Sequence, residues 1–349
     1  MYKYYTRPCN FFFGKSSIIK INNKRSLPLN GNKLISFDSI EIITRSNKKI
    51  ININKIGNLK KELKIKIKND LKNIIKKKKF NKFKFSTSPI LMGILNMTPD
   101  SFSDGGKYNK TGLAYTRIKK MVKLGCSIID IGGESTRPGS KEVNEIIEWK
   151  RVSGILKKIR RHKYFVSLDT RKSTVMEKGI KNNICMINDI SGLNYDLNTI
   201  NILKKSKIPF VIHHSKGLPK NMQIKPKYKN IILDIYDFFE ERIKYIRSNG
   251  INHNNIILDP GIGFGKDLKH NITLMRNISI FHSLGFPVML GSSRKRFIKD
   301  LSGVNDSEQR IGGTISSSLY AIMQGVQILR VHDVNEVNQS IKVFNSLKF

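Results

Sequence analysis

The sequence has 349 residues and a net charge of +38, with 64 Lys and Arg against 26 Asp and Glu. This length suits one large domain with an extension. Such a charge would favour a nucleic acid or another anionic surface, but residues 1–89 hold 23 Lys and Arg against 4 Asp and Glu, and the rest hold 41 against 22. Because the chain is also rich in Lys, Asn and Ile, we prefer compositional drift as the explanation and expect no specific nucleic-acid partner.

Residues 1–37 contain no acidic side chain, several Lys and Arg, and several hydroxyl residues. This composition is typical of a mitochondrial transit peptide, and a disordered basic tail is the alternative. Mitochondrial and cytoplasmic locations both stay open, and we favour the mitochondrial one.

Two further segments of the N-terminal third have a pattern. Residues 33–43, "KLISFDSIEII", alternate enough to predict a strand. Residues 59–84 are a lysine run with interspersed Ile and Phe, which fits either a solvated helix or a flexible linker. We expect residues 1–85 to form a basic, largely irregular extension that contributes little to any pocket.

From residue 90 the pattern changes to short apolar runs that each end in polar residues. The eight runs are "ILMGIL", "SIIDIGG", "YFVSL", "ICMI", "PFVI", "NIIL", "PVMLG" and "VQIL". Between most of them lie segments with helical periodicity, such as residues 111–125, 142–161 and 314–325. Near-continuous apolar strands that alternate with helices indicate a parallel sheet.

Eight such units predict an α/β fold, a (β/α)8 TIM barrel over residues 86–349. A doubly wound sheet is the alternative, although such sheets usually have five or six strands. The three cysteines, Cys9, Cys126 and Cys185, have no metal-like spacing, and their odd number argues against a disulfide framework. No apolar run approaches the ~18 residues that span a bilayer, so we expect no membrane association.

In such a barrel, the polar residues at the carboxyl ends of the strands share one mouth. Asp169, Asn188 and Asp259 are suited to a planar ligand edge rich in N–H donors, such as a 2-aminopyrimidinone. Lys295 and Arg330 follow the seventh and eighth runs, where barrels commonly bind phosphate. The glycine-rich "DPGIGFGKD" (259–267) lacks the spacing of a P-loop.

Seven motifs, taken together in chain order, resemble those of the dihydropteroate synthase family of pterin-binding TIM barrels. They are "GILNMTPDSFSDGG", "IIDIGGESTRPGS", "SLDTRKS", "INDISG", "ILDPGIGFGK", "GSSRKRFI" and "ILRVHDV", and they cover roughly residues 88–347. The resemblance implies a transferase of folate biosynthesis. It would condense (7,8-dihydropterin-6-yl)methyl diphosphate with 4-aminobenzoate to give 7,8-dihydropteroate and diphosphate.

The resemblance also assigns site residues by their positions in these motifs. Asp169, Asn188, Asp259 and Lys295 correspond to pterin ligands, and Asn96 to the ligand of a Mg²⁺ cofactor. Arg330, His332 and Arg137 correspond to a diphosphate clamp, and Thr136, Phe264 and Ser293 to the aminobenzoate side of the pocket. Asp169, Lys295, Arg330 and His332 are expected to be the catalytic residues. We also expect a homodimer.

One segment departs from the family pattern. "VIHHSKG" (211–217) stands where the family usually has a segment of the methionine–histidine–methionine type, so His213 and Ser215 replace apolar packing against the pterin. Two rival functions remain: a pterin-barrel methyltransferase and a nucleic-acid-binding protein built on a decayed barrel. The first would not need the "SRK" and "RVH" motifs, and the second predicts that pocket residues are missing, whereas they are present.

Overall fold

The structure is a computed structural model that describes residues 3–80, 83–85, 88–98, 110–135, 139–217 and 226–349. Its N-terminal part contains β1 (Tyr5–Phe13), α1 (Gly14–Asn22), β2 (Leu27–Leu29), β3 (Asn32–Ile43), β4 (Lys48–Asn52), a 3-10 helix (Ile53–Asn58), α2 (Lys61–Ile75), β5 (Lys79–Phe80) and β6 (Phe83–Lys84). In the sheet, β3 is central and pairs antiparallel with β1, β2 and β4. The strand predicted at residues 33–43 is confirmed.

The expectation of a largely irregular extension is wrong. Ile67, Leu71 and Ile74 of α2 are buried, and their spacing places them on one face of the helix. They pack into an apolar cluster with residues of the N-terminal sheet, including Phe37 and Ile40. The lysines between them hid this stripe in the sequence, because the exposed face of the helix contributes most of its residues.

The rest of the chain forms the predicted barrel, whose eight parallel strands all match the predicted runs. They are β7 (Ile90–Asn96), β8 (Ile128–Gly132), β9 (Val166–Asp169), β10 (Met186–Asp189), β11 (Phe210–His213), β12 (Ile256–Asp259), β13 (Met289–Leu290) and β14 (Ile328–Val331). Neighbours pair in this order, β14 pairs with β7, and a bridge between Leu258 and Val288 closes the ring.

Helices surround the barrel strands. They are α3 (Lys110–Lys123), α4 (Glu145–Ile159), α5 (Ser173–Ile180), α6 (Thr199–Ser206), α7 (Ile231–Ser248), α8 (Leu268–Arg276), α9 (Arg296–Ser302), α10 (Ile311–Met323) and α11 (Val334–Lys348), with 3-10 segments at His253–Asn255 and Ile278–Leu284. Strand side chains such as Met92, Val211 and Met289 form a separate buried cluster. Among the described helices, none is both long and apolar enough to cross a membrane.

The extension lies against the amino-terminal end of the barrel strands. Tyr5 is fully buried, its ring centroid is 5.1 Å from that of Tyr236, and its hydroxyl donates to Asp237 Oδ1 at 2.9 Å. Asn30 donates to the carbonyl oxygen of Gly325, just before β14, and Asn73 donates to that of Ser283. These contacts leave the opposite, carboxyl end of the barrel as the place for a site.

Candidate active site

The barrel places the predicted site residues at the carboxyl ends of its strands. Five of them occupy the last or second-last position of a strand: Asn96 in β7, Asp169 in β9, Asn188 in β10, Asp259 in β12 and Arg330 in β14. Phe264, Ser293, Lys295 and His332 lie in the segments that follow β12, β13 and β14. Thr136 and Arg137 lie outside the described residues.

A cavity of about 610 Å³ opens at this mouth, within the range of small-molecule sites. The predicted residues that line it are Asn96, Phe264, Ser293, Lys295, Arg330 and His332. These six residues contribute one amide, one aromatic ring and several basic groups, and the acidic residues Asp267, Asp300 and Glu308 also line the cavity.

A buried ion-pair cluster lies beside the cavity. Arg330 donates from Nε to Asp130 Oδ2 at 2.6 Å and from Nη2 to Asp169 Oδ2 at 2.7 Å. Asn188 donates to the same Asp130 oxygen at 3.0 Å. Burial raises the pKa of Asp169, and the nearby Arg330 opposes that shift. Arg330 is therefore already paired with two carboxylates.

The cluster keeps unused hydrogen-bond acceptors. Within the described part of the chain, Oδ1 of Asp130 and Oδ1 of Asn188 are buried without a hydrogen-bond partner. Buried polar atoms are nearly always satisfied, so two orphaned acceptors side by side indicate a place where a ligand or water donates hydrogen bonds.

Asp259 completes the acidic side of the mouth. Its Oδ1 accepts from the backbone N–H of Gly261 at 2.8 Å. Burial raises the pKa of Asp259 to about 6, while the Gly261 hydrogen bond and Lys295 oppose the shift. Asp259 is therefore mostly a carboxylate at neutral pH, and an acceptor for N–H donors.

Lys295 and Phe264 form one wall of the cavity. The Lys295 Nζ lies 4.1 Å from the centroid of the Phe264 ring, within cation–π range. Burial, with Arg330 next in effect, lowers the pKa of Lys295 to about 8. On the other side, the His213 ring meets Phe264 edge-on with centroids 4.4 Å apart.

The two histidines of the segment that departs from the family pattern, His213 and His214, are buried and neutral. His213 donates from Nδ1 to the Ile190 carbonyl oxygen at 3.2 Å. The Nδ1 of His214 accepts from Lys266 Nζ at 3.0 Å. Burial lowers the pKa of both histidines well below the usual value, and the Lys266 charge adds to this. His213 thus packs against Phe264 rather than providing a charge.

Ser293 connects the segments after β13 and β14. Its hydroxyl oxygen lies 3.1 Å from His332 Nδ1 and accepts from the His332 backbone N–H at 3.2 Å. Burial lowers the pKa of His332 well below its usual value, and Arg330, Arg294 and Lys295 add to the shift. His332 is therefore a neutral hydrogen-bonding group in the cavity wall.

Glu134, which precedes the predicted Thr136 and Arg137, is held by ion pairs within the protein. Its carboxylate pairs with Arg171 at 3.1 Å and Lys172 at 2.9 Å, and accepts from the Val143 backbone N–H at 3.2 Å. Burial would raise the pKa of Glu134, but the two cations prevail and lower it.

Asp130 is the functional candidate that the sequence reasoning missed. It lies within β8 rather than after it, and its side chain is fully buried. A signal existed: Asp130 is the acidic residue inside the apolar run "SIIDIGG", and an acid at such a position must find a buried partner. Asp130 differs from the predicted site residues because it lies inside its apolar run rather than at the end.

The comparisons with known proteins agree with this geometry. A family model described as pterin binding enzyme matches residues 92–332. A dihydropteroate synthase of Neisseria meningitidis serogroup C is 40% identical over 263 residues, which cover 74% of this chain and 93% of that protein.

Two solved structures are also similar. The Yersinia pestis dihydropteroate synthase with a sulfonamide drug has a TM-score of 0.72 and 38% identity, and the match covers 77% of this chain and 98% of that one. The Xanthomonas albilineans dihydropteroate synthase in complex with 7,8-dihydropteroate has a TM-score of 0.67 and 31% identity, over 74% of this chain and 93% of that one.

These relatives also correct the predicted location. They are bacterial dihydropteroate synthases, so the favoured mitochondrial assignment is wrong. Residues 5–13 of the supposed transit segment also pair with residues 35–43 in the N-terminal sheet, so this part of the segment belongs to the folded structure. Basic composition without acids was therefore a misleading signal.

Proposed function

The chain belongs to the family of pterin-binding enzymes and acts as a dihydropteroate synthase, and from that premise we propose how its residues divide the work. The reaction joins the methylene carbon of (7,8-dihydropterin-6-yl)methyl diphosphate to the amino nitrogen of 4-aminobenzoate. The observation that carries the proposal is the set of buried acceptors, orphaned in part, beside a cavity lined by basic groups.

We assign the pterin end to Asp169, Asn188, Asp259 and Lys295. A pterin presents an amino group and ring N–H groups along one edge, and carboxylates accept pairs of such hydrogen bonds. The burial of Asp169, Asn188 and Asp259 supports this assignment, because hydrogen bonds to charged acceptors are strongest where water is excluded. Lys295 donates to the polar side of the same ring.

We assign 4-aminobenzoate to the wall that contains Phe264 and Ser293, together with Thr136. Phe264 supports this role because its ring is held between His213 and Lys295. A rigid aromatic surface can stack with the benzoate ring at little conformational cost.

We assign the diphosphate to Arg330, His332 and Arg137. When the methylene C–O bond breaks, its electron pair leaves with the diphosphate, and the dihydropterin ring delocalises the positive charge on the methylene carbon. Cationic and N–H groups fixed beside the leaving oxygens stabilise the growing negative charge. The aniline nitrogen then forms the C–N bond and releases its proton to water or diphosphate, so no strong general base is needed.

We propose that Asn96 holds Mg²⁺. The donor set fits this ion, because one amide oxygen suits a magnesium whose other ligands are substrate phosphates and water. Among the described residues there is no group of three His, Cys, Asp or Glu that could hold a metal by itself. When bound, the ion would neutralise diphosphate charge.

Two further proposals concern assembly and domain organisation. We propose that the chain forms a homodimer, which light scattering of the purified protein would test. We also propose that residues 1–85 and 86–349 divide the chain into an extension and the pterin-binding barrel.

The test of the reaction is direct. Purified protein is incubated with the pterin diphosphate, Mg²⁺ and labelled 4-aminobenzoate, and labelled dihydropteroate is separated. We expect product that depends on all three, with an Asn96→Ala variant requiring more Mg²⁺ for half-maximal turnover. Absence of product from folded protein would contradict the function, and an unchanged Mg²⁺ titration would contradict the role of Asn96.

A further inference from the structure

Arg294 has an unusual backbone conformation at the centre of the site. Its φ angle is +59°, the left-handed region that few residues other than glycine adopt. Its N–H donates to Thr314 Oγ1 at 3.0 Å, and its carbonyl oxygen accepts from Arg310 Nη1 at 2.9 Å. Such conformations persist when the surroundings hold them, and they cluster at functional sites.

The side chain of Arg294 is also fixed. Its Nε donates to Asp333 Oδ2 at 3.0 Å, and its Nη2 donates to Asp333 Oδ1. The Asp333 side chain is only 6% exposed, so this two-pronged pair is shielded from water. A second carboxylate, Glu308, lies 3.4 Å from Nη1 but is 77% exposed.

The consequence of this conformation is visible in the two neighbours of Arg294. Ser293 reaches His332, in the segment after β14, and Lys295 reaches Phe264, in the segment after β12. The left-handed residue between them separates two side chains that contact different segments at the cavity, the one after β14 and the one after β12.

We infer that Arg294 and Asp333 are a pair of positioning residues that sets Ser293 and His332 against the substrates. Asp333 directly follows His332, so the ion pair joins the segments after β13 and β14 next to the Ser293–His332 contact. This inference rests on the roles proposed above for these two residues. Arg294 lines the cavity, but its guanidinium is paired with Asp333. Its role therefore differs from that of the residues that contact substrate.

The test compares single variants with a charge exchange. Asp333→Asn removes the charge of the pair and keeps its shape, whereas Arg294→Gly removes the side chain and tolerates the backbone angle. Because small misplacements of reacting groups can cost up to about 100-fold in rate, we expect each variant to lose at least about tenfold in kcat. Affinity for inorganic diphosphate should fall as well, since His332 shifts.

A readout specific to positioning is pterin binding. Calorimetry with an unphosphorylated pterin should give affinities within twofold of wild type, because Asp169, Asn188 and Asp259 do not depend on the pair. Exchange of the charges, Arg294→Asp with Asp333→Arg, should restore much of kcat, since Asp tolerates the left-handed region better than most residues. Glu308→Gln, which changes the exposed carboxylate on the same guanidinium, is the matched control and should keep kcat within twofold.

The outcomes separate the possibilities. If wild type forms dihydropteroate and the folded single variants turn over normally, the inference is wrong while the proposed function stands. If the variants lose pterin affinity and kcat together, or the exchange recovers melting temperature without kcat, the pair is merely structural and the inference is again overturned. If wild type forms no product, the proposed function fails, and diphosphate affinity still reports on the pair.

Discussion

The two ends of the barrel bury polar groups in different ways. At the amino-terminal end, beneath the extension, His282 is an uncharged hydrogen-bonding group. Its Nε2 donates to the Gln324 carbonyl oxygen at 2.8 Å, and burial lowers its pKa to about 3. Burial also lowers the pKa of Lys78 at that end to about 7. At the carboxyl end, Asp130 and Asp169 instead pair with Arg330, beside the neutral His213 and His332.

The orphaned atoms at the two ends also differ. Among the described residues, the buried unsatisfied atoms at the amino-terminal end include Asn30 Oδ1 and Gln327 Nε2, which belong to neutral amides. At the carboxyl end they include carboxylate oxygens of Asp130 and Asp189 together with the amide Oδ1 of Asn188. Because desolvating a charge costs far more than desolvating an amide, the orphaned oxygen of Asp130, in the Arg330 cluster beside the cavity, is the stronger indication of a ligand. An orphaned carboxylate oxygen is not sufficient by itself, since Asp189 has one on the other side of β10.

The largest effect is expected at the amino-terminal end. Tyr5→Ala removes a fully buried aromatic residue that joins the extension to α7, and should lower the free energy of unfolding by ~3–5 kcal/mol. Turnover per folded molecule should stay within twofold, because Tyr5 contacts Tyr236 and Asp237 of α7 and none of the three lines the cavity. Denaturant unfolding and kcat measured on one preparation test this. Tyr5→Phe, which loses only the hydrogen bond to Asp237, should cost about 1 kcal/mol.

A loss of kcat in folded Tyr5→Ala would remove the distinction between the two ends. It would also mean that the extension influences the pocket, contrary to its expected independence.

At the carboxyl end, Arg330→Ala should lower kcat by about 100- to 1,000-fold, the usual cost of removing a group that stabilises a developing oxyanion. Binding of an unphosphorylated pterin should change much less, provided that Asp169 keeps its position. Steady-state kinetics and calorimetry give the two numbers. Equal losses in both would show that Arg330 mainly holds Asp130 and Asp169 in place.

Asp259→Asn should weaken pterin binding by ~1–3 kcal/mol, because one acceptor becomes a donor that faces another donor. Asp189→Asn is the matched control. Asp189 is also fully buried with its pKa raised to about 6 by burial, but its Oδ1 accepts from Ser191, and it alternates to the other side of β10 from Asn188. Affinity should stay within twofold in the control, and an equal loss in both variants would make the effect one of general destabilisation.

The smallest effect is a pH dependence. Since the pKa of Asp259 is about 6, lowering the pH through 6 adds a proton and removes an acceptor, and pterin affinity should fall by up to about tenfold per pH unit. The stability of the unliganded protein should change in the opposite direction and rise as the pH falls. A carboxyl whose pKa is raised on folding binds its proton more tightly in the folded state, so its contribution to stability rises as the pH falls from 6 toward 4.

Calorimetry between pH 5 and 8 tests this prediction, and the acid limb should be absent in Asp259→Asn. Persistence of the same limb in that variant would assign the titration to another group, such as Asp169.

Some features followed from the sequence because they depend on local patterns. All eight barrel strands were predictable, since parallel strands buried on both faces are short apolar runs, and their ends identify the mouth. Asp169, Asn188 and Asp259 were found in this way. The order of the motifs identified the family, and the sequence relatives confirmed it.

Other features arise only from contacts between residues distant in sequence. The burial of Ile67, Leu71 and Ile74 of α2 required the N-terminal sheet to cover them. The pairing of Arg330 with Asp130 joins residues 200 positions apart, and no local pattern records it. The left-handed Arg294 depends on Asp333, Arg310 and Thr314. Local sequence therefore determined which residues reach the mouth, whereas the tertiary structure decided which of them are paired there, because electrostatic partners are set by distance in space.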